Sequence, residues 1–196
     1  MPSIISLNDI SRSKFDRLKK NFSCENTELE KHIKQYAFNH QKEGLFQTYF
    51  YVDDNENFLG YISVSIATIE RTTIEDEINI SSSIKYSIPA VKITRLCVFD
   101  NFCNKGIGSI LMTFANILAV VQQKKIGCRA LIVDSKFEAI EFYKRFGFIE
   151  IDKEENSDTM FMVFDIAKPS EVKEIVNEMI LFCEIFKQDN LIEILR

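Results

Sequence analysis

Ile93-Thr94-Arg95-Leu96-Cys97-Val98-Phe99, then Lys105-Gly106-Ile107-Gly108-Ser109, then the apolar-periodic run Ile110 to Val121 set a strand, a glycine turn and a helix in a row. Backbone amides at the start of a helix lack intrahelical acceptors and carry the positive end of the helix dipole, so a glycine approach to that start makes a pocket for phosphate. The order therefore implies a phosphorylated cofactor. A dinucleotide fingerprint would need a third glycine three residues after Gly108, where Leu111 stands, so hydride chemistry is disfavoured. A nucleotide-triphosphate loop would close on Gly-Lys-Ser/Thr, whereas Lys105 precedes both glycines, which disfavours phosphoryl transfer.

A second unit follows. Arg129-Ala130-Leu131-Ile132-Val133 reads as a strand, Asp134-Ser135 as its exit, and Glu138 to Phe146 as a helix ending Phe142-Tyr143-Lys144-Arg145-Phe146-Gly147-Phe148. Cys103-Asn104-Lys105-Gly106-Ile107-Gly108 resembles the pyrophosphate turn Gln/Arg-x-x-Gly-x-Gly/Ala of the GNAT superfamily of acetyl-CoA-dependent N-acetyltransferases, with Cys103 where that family has Gln or Arg. The aromatic-Tyr-x-x-x-Gly-Phe ending is similar to the other hallmark of that family. Phe22-Ser23-Cys24-Glu25-Asn26-Thr27-Glu28-Leu29, Gly60-Tyr61 and Thr94-Arg95-Leu96-Cys97-Val98 further resemble the GNAT toxins of bacterial toxin–antitoxin modules, over residues 15–165.

The resemblance implies an α/β (α+β) GNAT fold: a central mixed, mostly antiparallel twisted sheet, split at a central parallel strand pair and flanked by helices, here with an extra C-terminal helix. It implies a GNAT domain over 1–167 and an amphipathic helical extension over 168–196, packed on the domain or on a partner. Acetyl-CoA is the implied co-substrate, with no metal. Main-chain groups of Leu96, Cys97 and Val98 would pair with the pantetheine arm, the Val98 amide facing the thioester oxyanion. Cys103, Asn104, Lys105, Gly106, Ile107, Gly108 and Ser109 would hold the pyrophosphate, with the Ile110 amide assisting, because glycine lets backbone come close. Tyr143 would protonate the departing thiolate, and Phe142 would wall the coenzyme. Aminoacyl-tRNA is the implied acceptor, and an antitoxin protein or a second copy the implied partner.

Composition sets bounds around this. At 196 residues, 46% apolar, with 17 Phe, 6 Gly and 3 Pro, the chain suits one globular domain. No apolar run reaches the roughly 18 residues of a membrane span, and Met1 to Leu7 meets polar residues too early for a signal peptide, so a cytoplasmic protein away from membranes is expected. Five scattered cysteines without a Cys-x-x-Cys pair argue against a disulfide framework and against zinc. The net charge of -5 is uneven: residues 91–150 hold nine basic against five acidic side chains, whereas 151–196 hold five against eleven. A basic middle suits an anionic cofactor. For tRNA, candidate contacts are Arg95, Lys124, Lys125, Arg129, Lys144 and Arg145, with Arg12, Lys14, Arg17, Lys19 and Lys20.

Two short helices should open the domain, the second capped by Thr27 with Glu30 and burying Leu29, Ile33, Tyr36, Ala37 and His40. Thr48 to Val52 and Leu59 to Ile66 read as a hairpin around Asp53 to Asn57, and a third strand is expected near Ile84 to Ile88. Phe148 to Ile151 and Thr159 to Asp165 read as a closing antiparallel pair. Ser170 is the expected cap of a last helix with the stripe Val172, Ile175, Val176, Met179, Phe182, Cys183 and Phe186.

Two other functions stay open at this stage. A small amine or protein amine as acceptor would suit an acidic wall drawn from Asp53, Asp54, Glu70, Glu75, Asp76 or Glu77. A non-catalytic acyl-CoA-binding or interaction module would use the tail to dock a partner helix. No general base is assigned: His32 and His40 read as packing residues, and Glu70, Asp100 and Glu138 are unranked.

Overall fold

A computed structural model describes residues 2–55, 57–75, 77–81, 83–151, 157–166 and 176–195. Its spine is one seven-stranded sheet of β1 (Ser3–Ser6), β2 (Gln47–Val52), β3 (Phe58–Ile69), β4 (Ile88–Val98), β5 (Ala130–Lys136), β6 (Ile149–Glu150) and β7 (Thr159–Asp165), in the spatial order β1-β2-β3-β4-β5-β7-β6. Every neighbouring pair is antiparallel except β4 with β5. This is the expected mixed, mostly antiparallel sheet with a central parallel pair.

Along β2, Tyr49 and Tyr51 face one side and Phe50 and Val52 the other, the period-2 alternation of a strand covered on both faces. On one face lies α5 (Ile107–Lys125), at about 1.5 Å per residue nearly 30 Å long. It buries Ile107, Leu111, Phe114, Leu118 and Val121 against Ile62, Val64, Val91 and Ile93. On the other face α1 (Arg12–Leu18), α2 (Thr27–Lys31), a π-helical turn (His32–Tyr36) and α3 (Ala37–Lys42) enclose Phe15, Phe22, Phe50, Phe58 and Tyr61. Each such phenyl ring withdrawn from water contributes about 2–3 kcal/mol. Short α4 (Arg71–Ile74) and α6 (Ile140–Lys144) complete the main body.

Several local expectations are corrected. Among the described residues no separate strand forms near Ile84: Ile84 N–H donates to Ser81 O, and β4 begins at Ile88. β5 runs on through Asp134 and Ser135 to Lys136. β1 was not foreseen, and it forms the sheet edge beside β2. The second helix is capped by Asn26, not Thr27: Asn26 Oδ1 accepts from the amides of Glu28 and Leu29, while Glu30 instead accepts from Cys24 N–H and pairs with Lys34. One Asn oxygen satisfies two orphan donors, which a Thr hydroxyl at the next position does not do here. The π-helical turn inserts a residue into the buried stripe, so His32 is buried at 3% exposure while Tyr36 is 40% exposed and His40 only half-buried.

The closing pair β6–β7 forms as expected. Ser170, Val172 and Ile175 lie outside the described residues. Farther on, α7 (Val176–Ile185) and α8 (Asp189–Leu195) bury Met179, Cys183, Leu191, Ile192 and Leu195 in the α5-side core, together with Phe186 between them. Gln188 Nε2 donates to Ile4 O at 2.6 Å, and the Ile4 amide to Phe186 O at 3.4 Å, so this tail covers the open edge of β1.

Candidate active site

The parallel pair holds only part way. Ala90 to Ile93 pair with Ala130 to Val133; beyond that β4 continues to Val98 beside β3 alone, and β5 to Lys136 beside β7 alone. The cause is local. Arg95 opposes Ser63 and Ile93 opposes Val64, which leaves Thr94 as an extra residue bulged out of β4, its Oγ1 donating to Ser63 O at 3.0 Å. A bulge bends its strand, and here the bend coincides with the parting of β4 from β5.

Which main-chain groups face the gap follows from antiparallel alternation. Phe99 N–H donates to Leu59 O at 2.8 Å, so Phe99, and with it Cys97, turns its N–H and C=O toward β3. Leu96 and Val98 then turn theirs toward the gap. Of the three strand residues expected to meet the cofactor, two present main chain there; the Cys97 side chain is buried on the opposite face, beside Cys24.

At the mouth of the gap begins α5. Asn104 (φ 61°) and Gly106 (φ 81°) are both left-handed, and Gly106 is the residue at the helix start. The first intrahelical bond runs from Ile110 N–H to Gly106 O at 3.1 Å, so the amides of Ile107, Gly108 and Ser109 precede the helical ladder and the Ile110 amide is taken. The expected help from Ile110 is thereby corrected. Cys103, Asn104, Lys105, Gly106 and Ser109 are exposed around this turn.

Gly108 is where the elements converge. A Cβ there would stand 3.2 Å from the Phe142 ring and 3.9 Å from Val98 Cγ2, so the absence of a side chain brings α5, α6 and the end of β4 together. Gly60 does the same from β3: a Cβ would stand 2.9 Å from Cys97 O and 3.2 Å from Ile107 Cγ2. Tyr143 follows Phe142 and lies edge-on to it and to Phe148, at 5.2 and 5.5 Å. Gly147 (φ 83°) ends α6 behind it, its amide donating to Lys144 O at 2.9 Å. Burial pushes the Tyr143 phenol well above its usual range. The phenol is thus held in its protonated form.

Two cations flank the helix start. Lys105 Nζ lies 4.8 Å from the Phe102 ring centroid and the Arg145 guanidinium 5.7 Å from that of Phe142. Arg145, counted from sequence only among acceptor contacts, is thus near the glycine turn. Several of the other basic candidates have partners within the protein. Lys124 donates to Ile194 O and Leu195 O at the far end of α5, Arg129 pairs with Asp165, Lys144 with Glu141 and Glu150, and Arg12 and Lys19 with Asp16. The acidic wall is likewise engaged: Asp53 binds Asn55 and Asn57, Glu70 accepts from Ser87, and Glu75 pairs with Arg71, while Asp76 lies outside the described residues.

Asp100, unranked from sequence, accepts from Ser23 Oγ at 3.0 Å and from the Glu25 amide at 2.8 Å, which fastens the loop before α2 to the end of β4. Nothing in residue spacing marks a contact across so long a separation. The two histidines meet each other, rings 5.7 Å apart, with His32 Nε2 and His40 Nδ1 buried and lacking hydrogen-bond partners among the described residues. They pack as expected but are not satisfied. Burial first, then the nearby Arg95 and His40, depress His32 to about 4.

A sheet parted at its parallel pair, with bare helix amides at the mouth and the Phe142 ring packed on Gly108, fits an acyl-CoA-type acyltransferase scaffold. The sequence model of the acetyltransferase (GNAT) domain matches residues 46–150, more than half of the chain, and the chain belongs to that family. No curated protein matches it in sequence. Solved structures of the same fold include a bacterial toxin, 18% identical with a TM-score of 0.74 over 85% of this chain and 92% of that one. AtaT complexed with acetyl-methionyl-tRNAfMet is 21% identical, with a TM-score of 0.70 over 90% and 99%. A tyrosine-to-phenylalanine mutant of the toxin AtaT, bound to acetyl-CoA and the C-terminus of the antitoxin AtaR, is 19% identical, with a TM-score of 0.65 over 85% and 94%. Among the described residues no helix is long and apolar enough to cross a membrane.

Proposed function

We propose that the chain transfers an acetyl group from acetyl-CoA directly to a primary amine held in the same complex, and that the amine belongs to an aminoacyl-tRNA. The observation that carries the acetyl-CoA half is the unpaired Leu96 and Val98 main chain lying in line with the bare amides of Ile107 to Ser109. Those amides, with Lys105 and Arg145 nearby, would take the pyrophosphate; the Leu96 and Val98 groups would take the amide-bearing arm as a further strand would.

Bound acetyl-CoA supplies the activated acyl group. The chain supplies the rest: the Val98 amide donates to the thioester oxygen as negative charge grows there, and the Tyr143 phenol gives its proton to the sulfur as the carbon–sulfur bond breaks. Tyr143 then regains a proton from solvent or from the newly acylated nitrogen. The amine attacks in its neutral form, and no general base is assigned; Asp100, for one, already accepts from Ser23 and Glu25.

The likeness to AtaT, solved with acetyl-methionyl-tRNAfMet, supports the tRNA acceptor. The pairing of so many basic side chains within the protein favours a second reading, a small or protein-borne amine. Labelled acetyl-CoA offered with aminoacyl-tRNA, with polyamines and with a cell lysate separates the two. Label in aminoacyl-tRNA alone supports the first, label elsewhere the second, and binding without transfer would leave a non-catalytic module. An antitoxin protein is the partner this reading implies, and co-purification from a co-expressed operon neighbour tests it.

A further inference from the structure

We propose that Cys24 and Cys97 are a peroxide-reactive thiol pair that closes into a reversible disulfide. The two sulfurs lie 2.6 Å apart as free thiols, within about 0.6 Å of a disulfide bond length. They come from segments 73 residues apart, the loop before α2 and the central strand β4.

The approach is built in. Asp100 takes the Ser23 hydroxyl and the Glu25 amide, Ser23 O accepts from the Asp100 amide at 3.2 Å, and Glu30 takes the Cys24 amide at 3.1 Å. Phe22 packs at 5.7 Å on both Tyr61 and Phe99. Both flanks of Cys24 are thus pinned, so bond closure asks only for a small sulfur movement.

The two thiols are unequal. Cys24 is half-buried and within reach of a small oxidant, whereas Cys97 is 3% exposed. The Cys97 thiol donates toward the Cys24 sulfur; that bond holds Cys24 below the usual thiol range and, with burial, holds Cys97 far above it. Cys24 is therefore the attacking sulfur and Cys97 the resolving one. Cys24 gives up its proton, its thiolate attacks one oxygen of hydrogen peroxide and the O–O bond breaks; the departing hydroxide takes up that proton, so sulfenic acid and water result. The Cys97 sulfur then attacks the Cys24 sulfur, the S–O bond breaks, and a second water leaves with the Cys97 proton. Two thiols are oxidised and one peroxide is reduced to two waters; a dithiol reverses the step by exchange.

Because Cys97 precedes Val98, closure also bears on acetyl transfer; that consequence rests on the proposed function, whereas the bond itself does not. The readout is kept independent of activity. The whole protein is treated with hydrogen peroxide, acid-quenched, unfolded, alkylated and mapped by mass spectrometry. Alkylatable thiols should fall from five to three, a Cys24–Cys97 cross-linked peptide should appear, and dithiothreitol should restore all five. Cys24→Ser, at the half-buried position, should abolish the cross-link, and Cys103→Ser should leave it intact. Five thiols remaining after peroxide, a cross-link through Cys103, or Cys24 overoxidised while Cys97 still alkylates would each overturn the proposal. Should Cys97→Ser fail to fold, the wild-type map and Cys24→Ser decide it alone.

Discussion

At the residue scale, the account gives Tyr143 one job. In the proposed reaction its hydroxyl gives a proton to the sulfur and takes no part in the phosphate grip, so Tyr143→Phe should lower kcat by about 100-fold or more while acetyl-CoA affinity changes less than about threefold. Steady-state kinetics beside calorimetry reads both numbers, and an equal loss in both would assign Tyr143 to binding. His32 tests a different matter. Its folded pKa of about 4 lies below the ordinary 6.5, so between these values the unfolded chain binds more protons than the folded one. Stability is therefore lost as pH falls through that window, by about 2–3 kcal/mol from this residue. Urea titrations at pH 7 and pH 5 should show the loss in wild type and a smaller one in His32→Phe. Tyr143 could be singled out because its Phe-Tyr-x-x-x-Gly-Phe setting is contiguous, and His32 read as a packing residue; the exposure of Tyr36 was not legible, because an inserted helical residue leaves no trace in residue spacing.

At the element scale, the cap of α2 and the seat of α5 make separable predictions. Asn26→Ala should cost about 1 kcal/mol by removing an oxygen that serves two amides, and Thr27→Ala much less; thermal melts of the pair decide which residue caps. Gly108→Ala puts a methyl 3.2 Å from the Phe142 ring and should weaken acetyl-CoA binding about tenfold with a smaller effect on melting. The glycine turn and both helices after it could be read from the chain because capping, glycine placement and apolar periodicity are local. The parting of β4 from β5 could be inferred only through family resemblance, since the bulge at Thr94 is a property of pairing with Ser63 and Val64, thirty residues away in sequence. The edge strand β1 was missed for the same reason: four residues with a mixed pattern become a strand only beside Tyr49 to Val52.

At the scale of the whole molecule, the tail and the sheet edge stand or fall together. Removing residues 168–196 strips Met179, Cys183, Phe186 and Leu191 from the core and uncovers the Ile4 carbonyl, so the fragment 1–167 should melt roughly 10 °C lower or aggregate. The stripe of apolar residues announced that the tail must be buried, but its partner, the edge of β1, was invisible without β1 itself. Charge sums locate a basic middle but not its partners: Lys124, Arg129 and Lys144 also serve neighbouring carbonyls and carboxylates. The central claim is that main chain along the β4–β5 gap and at the start of α5 grips coenzyme A. Amide NMR with added coenzyme A tests it most directly. The account predicts shifts concentrated at Leu96, Val98 and Ile107 to Ser109, lost or weakened in Gly108→Ala; shifts clustered elsewhere, or none at millimolar ligand, would contradict it.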